Sequence, residues 1–247
     1  MVDLHTPPPS AASVRNGRLI CMVGLPCSGK SSVARELGTL LGVTTFREPE
    51  EEFWAECVTR RDLSGRFGAH TWFRSTRTCQ LYQAEQLANQ GNTVLVDSYL
   101  DKLLYFCLGK RGMDWLLHPD DPYFDIARNL AHIDLDTLPL ADCIIFFDLE
   151  YQTWHQLLQT RSRKIESGLF NDDVFYMQDY LRSGIEFLKN THGVATVTIK
   201  NNFGSPKETA ERLKKILAHD TFASSHHCAC LGDAREKKER DADESLL

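Results

Sequence analysis

The stretch Gly24-Leu25-Pro26-Cys27-Ser28-Gly29-Lys30-Ser31 is a complete G-x-x-x-x-G-K-[ST] phosphate loop. Its setting constrains the fold more than its spelling does. The apolar run Leu19-Ile20-Cys21-Met22-Val23 precedes it, and a helical pattern begins near Ser31. The loop therefore joins a buried strand to a helix N-terminus. Glycines allow a turn tight enough for several backbone N–H groups to converge on one anion, and the helix adds its partial positive charge. Gly24, Leu25, Pro26, Cys27, Ser28, Gly29, Lys30, Ser31 and Ser32 are the expected cradle. Lys30 can reach the β- and γ-phosphates, and the Ser31 hydroxyl can ligate Mg²⁺. The implied ligand is a nucleoside triphosphate, with ATP and Mg²⁺ as expected cofactors.

The rest of the chain alternates strands and helices. The spacing predicts a helix over Lys30–Leu41, with Val33, Leu37, Leu40 and Leu41 on one face, then a short strand Val43–Phe46. A helix over Trp72–Ala88 and a buried strand Thr93–Asp97 follow. Asp101–Leu130 reads as mostly helical, interrupted around His118–Pro122. Ala141–Asp148 is a strongly apolar strand, Tyr151–Thr160 and Asp173–Asn190 are helices, Thr196–Lys200 is a fifth strand, and Pro206–Ala218 is a last helix. This alternation predicts an α/β fold, a five-stranded parallel sheet with helices on both faces. Functional groups then gather at the carboxyl ends of the strands, namely the phosphate loop, Arg47 with Glu48, Asp97 and Asp148.

Bulk properties narrow the partners. A formal net charge of −6 argues against stable nucleic-acid binding. No apolar run is long enough to span a bilayer, so no membrane partner is expected. The Pro- and Ser-containing lead has no apolar core like that of a secretory signal. Several of the eight cysteines fall inside apolar strands or the phosphate loop, which suits reduced thiols in a cytoplasmic chain. Residues 1–17 read as a flexible lead, 18–219 as the catalytic-type domain, and 220–247 as a charged, disordered tail. His226-His227-Cys228-Ala229-Cys230 is a soft-metal tract whose spacing matches no closed zinc site.

Several further residues suit phosphoryl transfer. Asp97, ending a buried strand, can face Mg²⁺ through water or orient an attacking hydroxyl; it can equally cap the next helix. Arg47 can hold an acceptor phosphate and Glu48 can accept a hydroxyl proton, whereas Glu50, Glu51 and Glu52 read better as a solvated acidic face. Arg74 and Arg77 share one face of the helix that begins at Trp72, where guanidinium forks suit phosphate or base recognition. Arg161, Arg163 and Lys164 form a basic cluster able to act as a mobile lid that neutralises the transferring group and excludes water.

The ordered set of motifs resembles the thymidylate kinase and deoxynucleoside kinase superfamily: phosphate loop, Arg47-Glu48-Pro49, a helix bearing Arg77, Val94-Leu95-Val96-Asp97-Ser98-Tyr99, a strand ending in Asp148, and the lid Arg161-Ser162-Arg163-Lys164. The resemblance covers most of residues 18–218. It implies a P-loop NTPase-type three-layer sandwich, often a homodimer formed through helices. It implies that Arg77 and Tyr99 face the acceptor and that Glu48, near Trp54, serves as base. The family carries an Arg where this chain has Ser98. Lys102 is the nearest cation able to substitute as a point charge, and His70 lies nearest the position of the family's base-reading Gln.

The reading that follows is an ATP-dependent phosphotransferase acting on a nucleoside or a nucleoside monophosphate, leaning to the monophosphate. Its expected catalytic residues are Lys30, Glu48, Asp97, Arg161 and Arg163. The substrate-binding residues are Arg47, Arg74, Arg77 and Tyr99, and Ser31 with Asp97 holds the metal. The absent Arg motivates a second reading, a nucleotide-binding regulatory or interaction protein that has lost turnover. No Asn-Lys-x-Asp element follows a strand, which argues against a GTPase.

Overall fold

Strand β1 (Arg18–Gly24) carries five buried residues in succession, Leu19 to Val23. A strand apolar on both faces has to be covered on both. The computed structural model describes residues 16–160, 170, 172–200 and 205–218. Within them β1 is followed by α1 (Lys30–Leu41), β2 (Thr44–Phe46), the single-turn α2 (Glu56–Thr59), and α3 (Arg61–Asn89, kinked at Gly65). Next come β3 (Thr93–Val96), α4 (Leu100–Cys107), α5 (Phe124–Thr137), β4 (Cys143–Asp148) and α6 (Tyr151–Thr160). The last elements are α7 (Met177–His192), β5 (Ala195–Lys200) and α8 (Pro206–Ala218).

All five strands pair in parallel, in the order β2-β3-β1-β4-β5. Alternation along β1 divides the core. Leu19, Cys21 and Val23 pack with Leu81 and Ala84 of α3, Leu103 of α4, Trp154 of α6 and Leu181 of α7. Ile20 and Met22 face the opposite layer, with Val33 and Leu37 of α1 and Ala210 and Leu213 of α8. Burying one such Leu or Ile contributes roughly 1.5–3 kcal/mol, so the apolar runs dictate where the strands form. This is the three-layer α/β sandwich the alternation predicts.

Several helix boundaries depart from the periodicity: α5 runs to Thr137 instead of ending near Leu130, and α7 begins at Met177 instead of Asp173, after a tighter turn over Asp172–Tyr176. Helix α3 begins at Arg61 instead of Trp72. It has no single apolar stripe, because part of its surface lines a cavity of mixed character while Leu81, Ala84 and Ala88 face the core. The interruption expected around His118–Pro122 starts earlier, directly after Cys107. Gly112 lies in that gap at φ 78°. It lets the backbone of Asp173 come so close that an added Cβ would sit 1.9 Å from the Asp173 carbonyl oxygen. No helix among the described residues is long and apolar enough to cross a membrane. The 1–15 portion of the expected lead, the tail from residue 219 and the His226–Cys230 tract lie outside the described residues.

Candidate active site

Strand order reverses at β1, which places the carboxyl ends of β1, β2 and β3 around one cavity of about 560 Å³. Its mouth is the phosphate loop. The chain leaves β1 at Gly24, passes through Cys27 at φ 62°, and enters α1 from Gly29 at φ 82°. Two left-handed residues so close together curl the loop; the first is a non-glycine, which the left-handed region disfavours. No side chain caps α1, and no acidic residue lies in its first turn. Its leading N–H groups and the positive end of its dipole are thus directed to an anion. Lys30 Nζ donates to the carbonyls of Gly24 (2.9 Å) and Leu25 (2.8 Å) and to Ser28 Oγ (3.2 Å). Trp154, fully buried, donates from Nε1 to the Pro26 carbonyl at 2.9 Å and so ties α6 to the loop. All the cradle residues from Gly24 to Ser32 line the cavity except Leu25, whose side chain belongs to the core.

Asp97 follows β3 and is buried beside the loop. Its Oδ1 accepts the Glu48 N–H at 3.1 Å, and the Asp97 N–H donates to Phe46 O at 3.0 Å. Its Oδ2 is buried without a hydrogen-bond partner. Burial and the Glu48 charge push the Asp97 carboxyl up to about 6, although the Ser31 hydroxyl, the Glu48 N–H and Lys30 act in the opposite direction. An orphaned carboxylate oxygen close to Ser31 and Lys30 is a donor set for a hard cation such as Mg²⁺. Lys30 and Asp97 therefore belong to one site.

Glu48, on the chain leaving β2, accepts a hydrogen bond from Arg77 Nη1 at 3.2 Å. Arg77 is itself buried and clamped by Asp101 of α4, with Nε to Oδ2 at 2.6 Å and Nη2 to Oδ1 at 2.9 Å. Burial opposes the Arg77 charge, but Asp101 and Glu48 outweigh it and hold the group firmly protonated. Arg77 also lies 5.6 Å from the Phe73 ring centroid, and Phe73 meets Trp54 edge-on at 5.3 Å. Trp54 Nε1 donates to Pro49 O at 2.9 Å, fixing the segment after Glu48. His70, about two turns before Arg77 on the same side of α3, is buried with both ring nitrogens unpartnered. Burial, aided by Arg77, lowers its pKa to about 4 and keeps it neutral. Trp115 Nε1 is likewise buried without a partner, and its ring meets Phe170 edge-on. His70 and Trp115 both line the cavity.

The structure brings Arg47, Glu48, Arg77, Asp97 and Tyr99 to the cavity, but it separates other expected residues from it. Arg74 is held by Asp134 of α5, at 2.6 Å and 2.5 Å, and does not line the cavity. Its position three residues before Arg77 puts it near the same face, but the long reach of the guanidinium finds a buried carboxylate first. Tyr99 lines the cavity but is buried in the core, and its hydroxyl donates to Pro139 O and accepts the Ala141 N–H. Asp148 accepts from Arg182 at 2.7 Å and lies outside the lining. Lys102 does not replace the absent Arg: it is buried and donates to the Leu138 carbonyl at 2.6 Å. Arg161, Arg163 and Lys164 lie outside the described residues; Leu157 and Thr160, at the end of α6 just before them, stand on the cavity wall. Among the described residues no cluster of three metal-ligating side chains occurs.

Sequence reasoning missed Asp101, Trp115 and Trp154. Asp101 carried a signal, since a carboxylate within the apolar helix Leu100-Asp101-Lys102-Leu103-Leu104 needs a buried partner.

Comparison with known proteins places this geometry. A family model described as the AAA domain matches residues 19–118. No curated protein matches the chain. Among solved structures, deoxyadenosine kinase from M. mycoides with bound dATP is similar at a TM-score of 0.58 and 19% identity, covering 80% of this chain and 98% of that one. The same kinase with bound dCTP gives 0.55 and 20%, covering 80% and 97%. Thymidylate kinase from Candida albicans gives 0.56 and 18%, covering 84% and 93%. The likeness is one of fold: the chain shares the three-layer, parallel-sheet P-loop architecture of these solved structures.

Proposed function

We propose that this protein is an ATP-dependent phosphotransferase that moves the γ-phosphoryl group to a nucleoside or nucleoside monophosphate. One observation carries the reading. The anion cradle at the start of α1, the orphaned Asp97 carboxylate oxygen, and the Glu48–Arg77 pair meet in a single cavity with an aromatic wall.

The cradle N–H groups and Lys30 bind the ATP phosphates. When an anion arrives, Lys30 exchanges its bonds to the Gly24 and Leu25 carbonyls for a charge-assisted one. Ser31 and Asp97 would hold Mg²⁺, which when bound would supply positive charge against the phosphate oxygens. Trp54 and Phe73 pack against the acceptor, with Arg77 and Arg47 positioning it and Glu48 taking its proton. Arg161 and Arg163 serve as the lid. Most of the catalysis in such a transfer is positioning and electrostatic stabilisation, because little covalent chemistry falls to the protein. The nucleoside and nucleotide kinases of the same fold support the choice of substrate class.

The test is phosphoryl transfer from ATP, with Mg²⁺, to a panel of nucleosides and monophosphates, using wild type and Lys30→Ala. Wild type is expected to transfer. The variant is expected to keep its far-UV CD spectrum and lose turnover by at least about 10²-fold, the scale of one lost electrostatic contact at a transferring group. Wild-type turnover in Lys30→Ala refutes the reading. The second reading, a nucleotide-binding regulatory protein, is favoured by Ser98 standing where the superfamily carries an Arg and by Lys102 being turned away. Nucleotide binding without transfer to any acceptor supports it.

A further inference from the structure

Resting on the phosphotransfer reading, we infer that Arg111 and Gly112 are positioning residues. They dock the loop after α4 onto the turn before α7, and so set the aromatic wall, Trp115 with Phe170, against which the acceptor binds. Neither residue lines the cavity. Both act through the two segments that do.

The joint is made of backbone. After α4 the chain runs through short turns, in which the Met113 N–H donates to Lys110 O at 3.0 Å and the Leu116 N–H to Met113 O at 2.9 Å. Met113 and Leu117 anchor these turns in the core. The facing turn, Asp172–Tyr176, is anchored in the same core through Val174. The two segments meet at Gly112. A Cβ there would run into the Asp173 carbonyl group and stand 3.0 Å from the Val174 nitrogen. These are main-chain atoms, which cannot swing aside as the end of a side chain can. Arg111 closes the joint from outside. It donates to Asp173 Oδ1 from Nη2 at 2.8 Å and from Nε at 3.2 Å, and its guanidinium carbon lies 4.3 Å from the Tyr176 ring centroid. One side chain thus grips the turn at two points.

Each segment carries half of the wall. Trp115 follows Gly112 in one, Phe170 precedes Asp173 in the other, and the two rings meet edge-on at 5.1 Å. Arg66 of α3 donates to the Asp114 carbonyl and holds the loop from its other side. The wall packs with the layer of α3 and α7, opposite the layer of α1, whose N-terminus forms the phosphate cradle. It offers aromatic surface and one unpartnered N–H, Trp115 Nε1. That set suits the ring of an acceptor and has no charge to offer a phosphate. The turn also reaches the other end of the site, because Phe175 packs on Trp154 at 5.8 Å and Trp154 holds the Pro26 carbonyl. ATP affinity is therefore the control that separates a wall-positioning role from general support of the site.

The experiment measures kcat and KM for the nucleosides of the common bases and their 5′-monophosphates, with ATP and Mg²⁺, in wild type, Gly112→Ala, Arg111→Ala and Arg111→Lys. ATP binding is measured separately by thermal shift. Gly112→Ala is expected to raise KM for the best acceptor and to lower its kcat/KM by up to about 10²-fold, the scale of a misplacement of about 1 Å, with KM for ATP unchanged. Arg111 is exposed, so Arg111→Ala keeps the fold and carries the test if Gly112→Ala does not fold. It is expected to raise the acceptor KM several-fold, and Arg111→Lys, which keeps a cation beside Asp173 and Tyr176, to restore most of the loss. An acceptor KM unchanged in Arg111→Ala, or an equal loss of ATP and acceptor affinity, overturns the inference while leaving the phosphotransfer reading in place. ATP binding with no transfer to any acceptor overturns both.

Discussion

The Arg77–Asp101 pair yields the sharpest test of the energetics, through Asp101→Asn. The two side chains are 8% and 5% exposed, and two N–H···O bonds of 2.6 Å and 2.9 Å join them. Removing one partner of a buried ion pair costs about 3–5 kcal/mol, because the remaining charge is left in a poorly polarisable interior. Glu48 lies 3.2 Å from the same guanidinium and is 37% exposed, so it offsets part of the loss. We expect about 3 kcal/mol, the lower end. At about 2–4 °C per kcal/mol for a domain of this size, that is a fall of roughly 6–12 °C in Tm. Urea unfolding at pH 7 measures it as a lower midpoint with an unchanged slope.

Replacing both partners, Arg77→Met with Asp101→Leu, should recover most of the stability, since a buried pair contributes little over a well-packed apolar substitute. The pH dependence adds a check. Burial alone raises the Asp101 carboxyl, but Arg77 dominates and holds it below the usual carboxylate range. A carboxyl depressed in the folded state contributes stability above its unfolded pKa and loses it as pH falls through the folded one. The gap between wild type and Asp101→Asn should therefore narrow in strong acid. A gap below about 1 kcal/mol at neutral pH, typical of an exposed pair, refutes the reasoning.

Other perturbations test separate parts of the molecule. His70 has its pKa lowered to about 4 from 6.5, chiefly by burial, so its contribution is complete above 6.5 and drains away as pH falls toward 4. His70→Gln should remove up to about 3 kcal/mol of that acid sensitivity; urea midpoints that track wild type between pH 7 and 4.5 count against it. Trp154→Phe deletes the bond to the Pro26 carbonyl and leaves a small void. It should cost about 1–3 kcal/mol and raise KM for ATP several-fold; an unchanged KM means α6 does not steady the loop.

Much of the fold was legible in the sequence for reasons that are local. The glycine-bearing loop between an apolar run and a helical pattern specifies strand, turn and helix N-terminus, and α1, α6 and α8 begin and end where their apolar spacing says. Helix α3 was less legible, because a helix that borders both core and cavity loses its stripe. Arg47, Glu48 and Asp97 could be placed together because parallel strands all deliver their carboxyl ends to one edge of the sheet.

What sequence spacing could not reach is which partner each long charged side chain finds. Arg74 and Arg77 look equivalent along the helix, yet one closes on Asp134 and the other on Asp101 and Glu48. Lys102 looked available one turn beyond Ser98, yet it points to the Leu138 carbonyl. These choices are made across tens of residues by whichever carboxylate or carbonyl the packed core presents. Local periodicity, which reaches only a few residues, carries no trace of them.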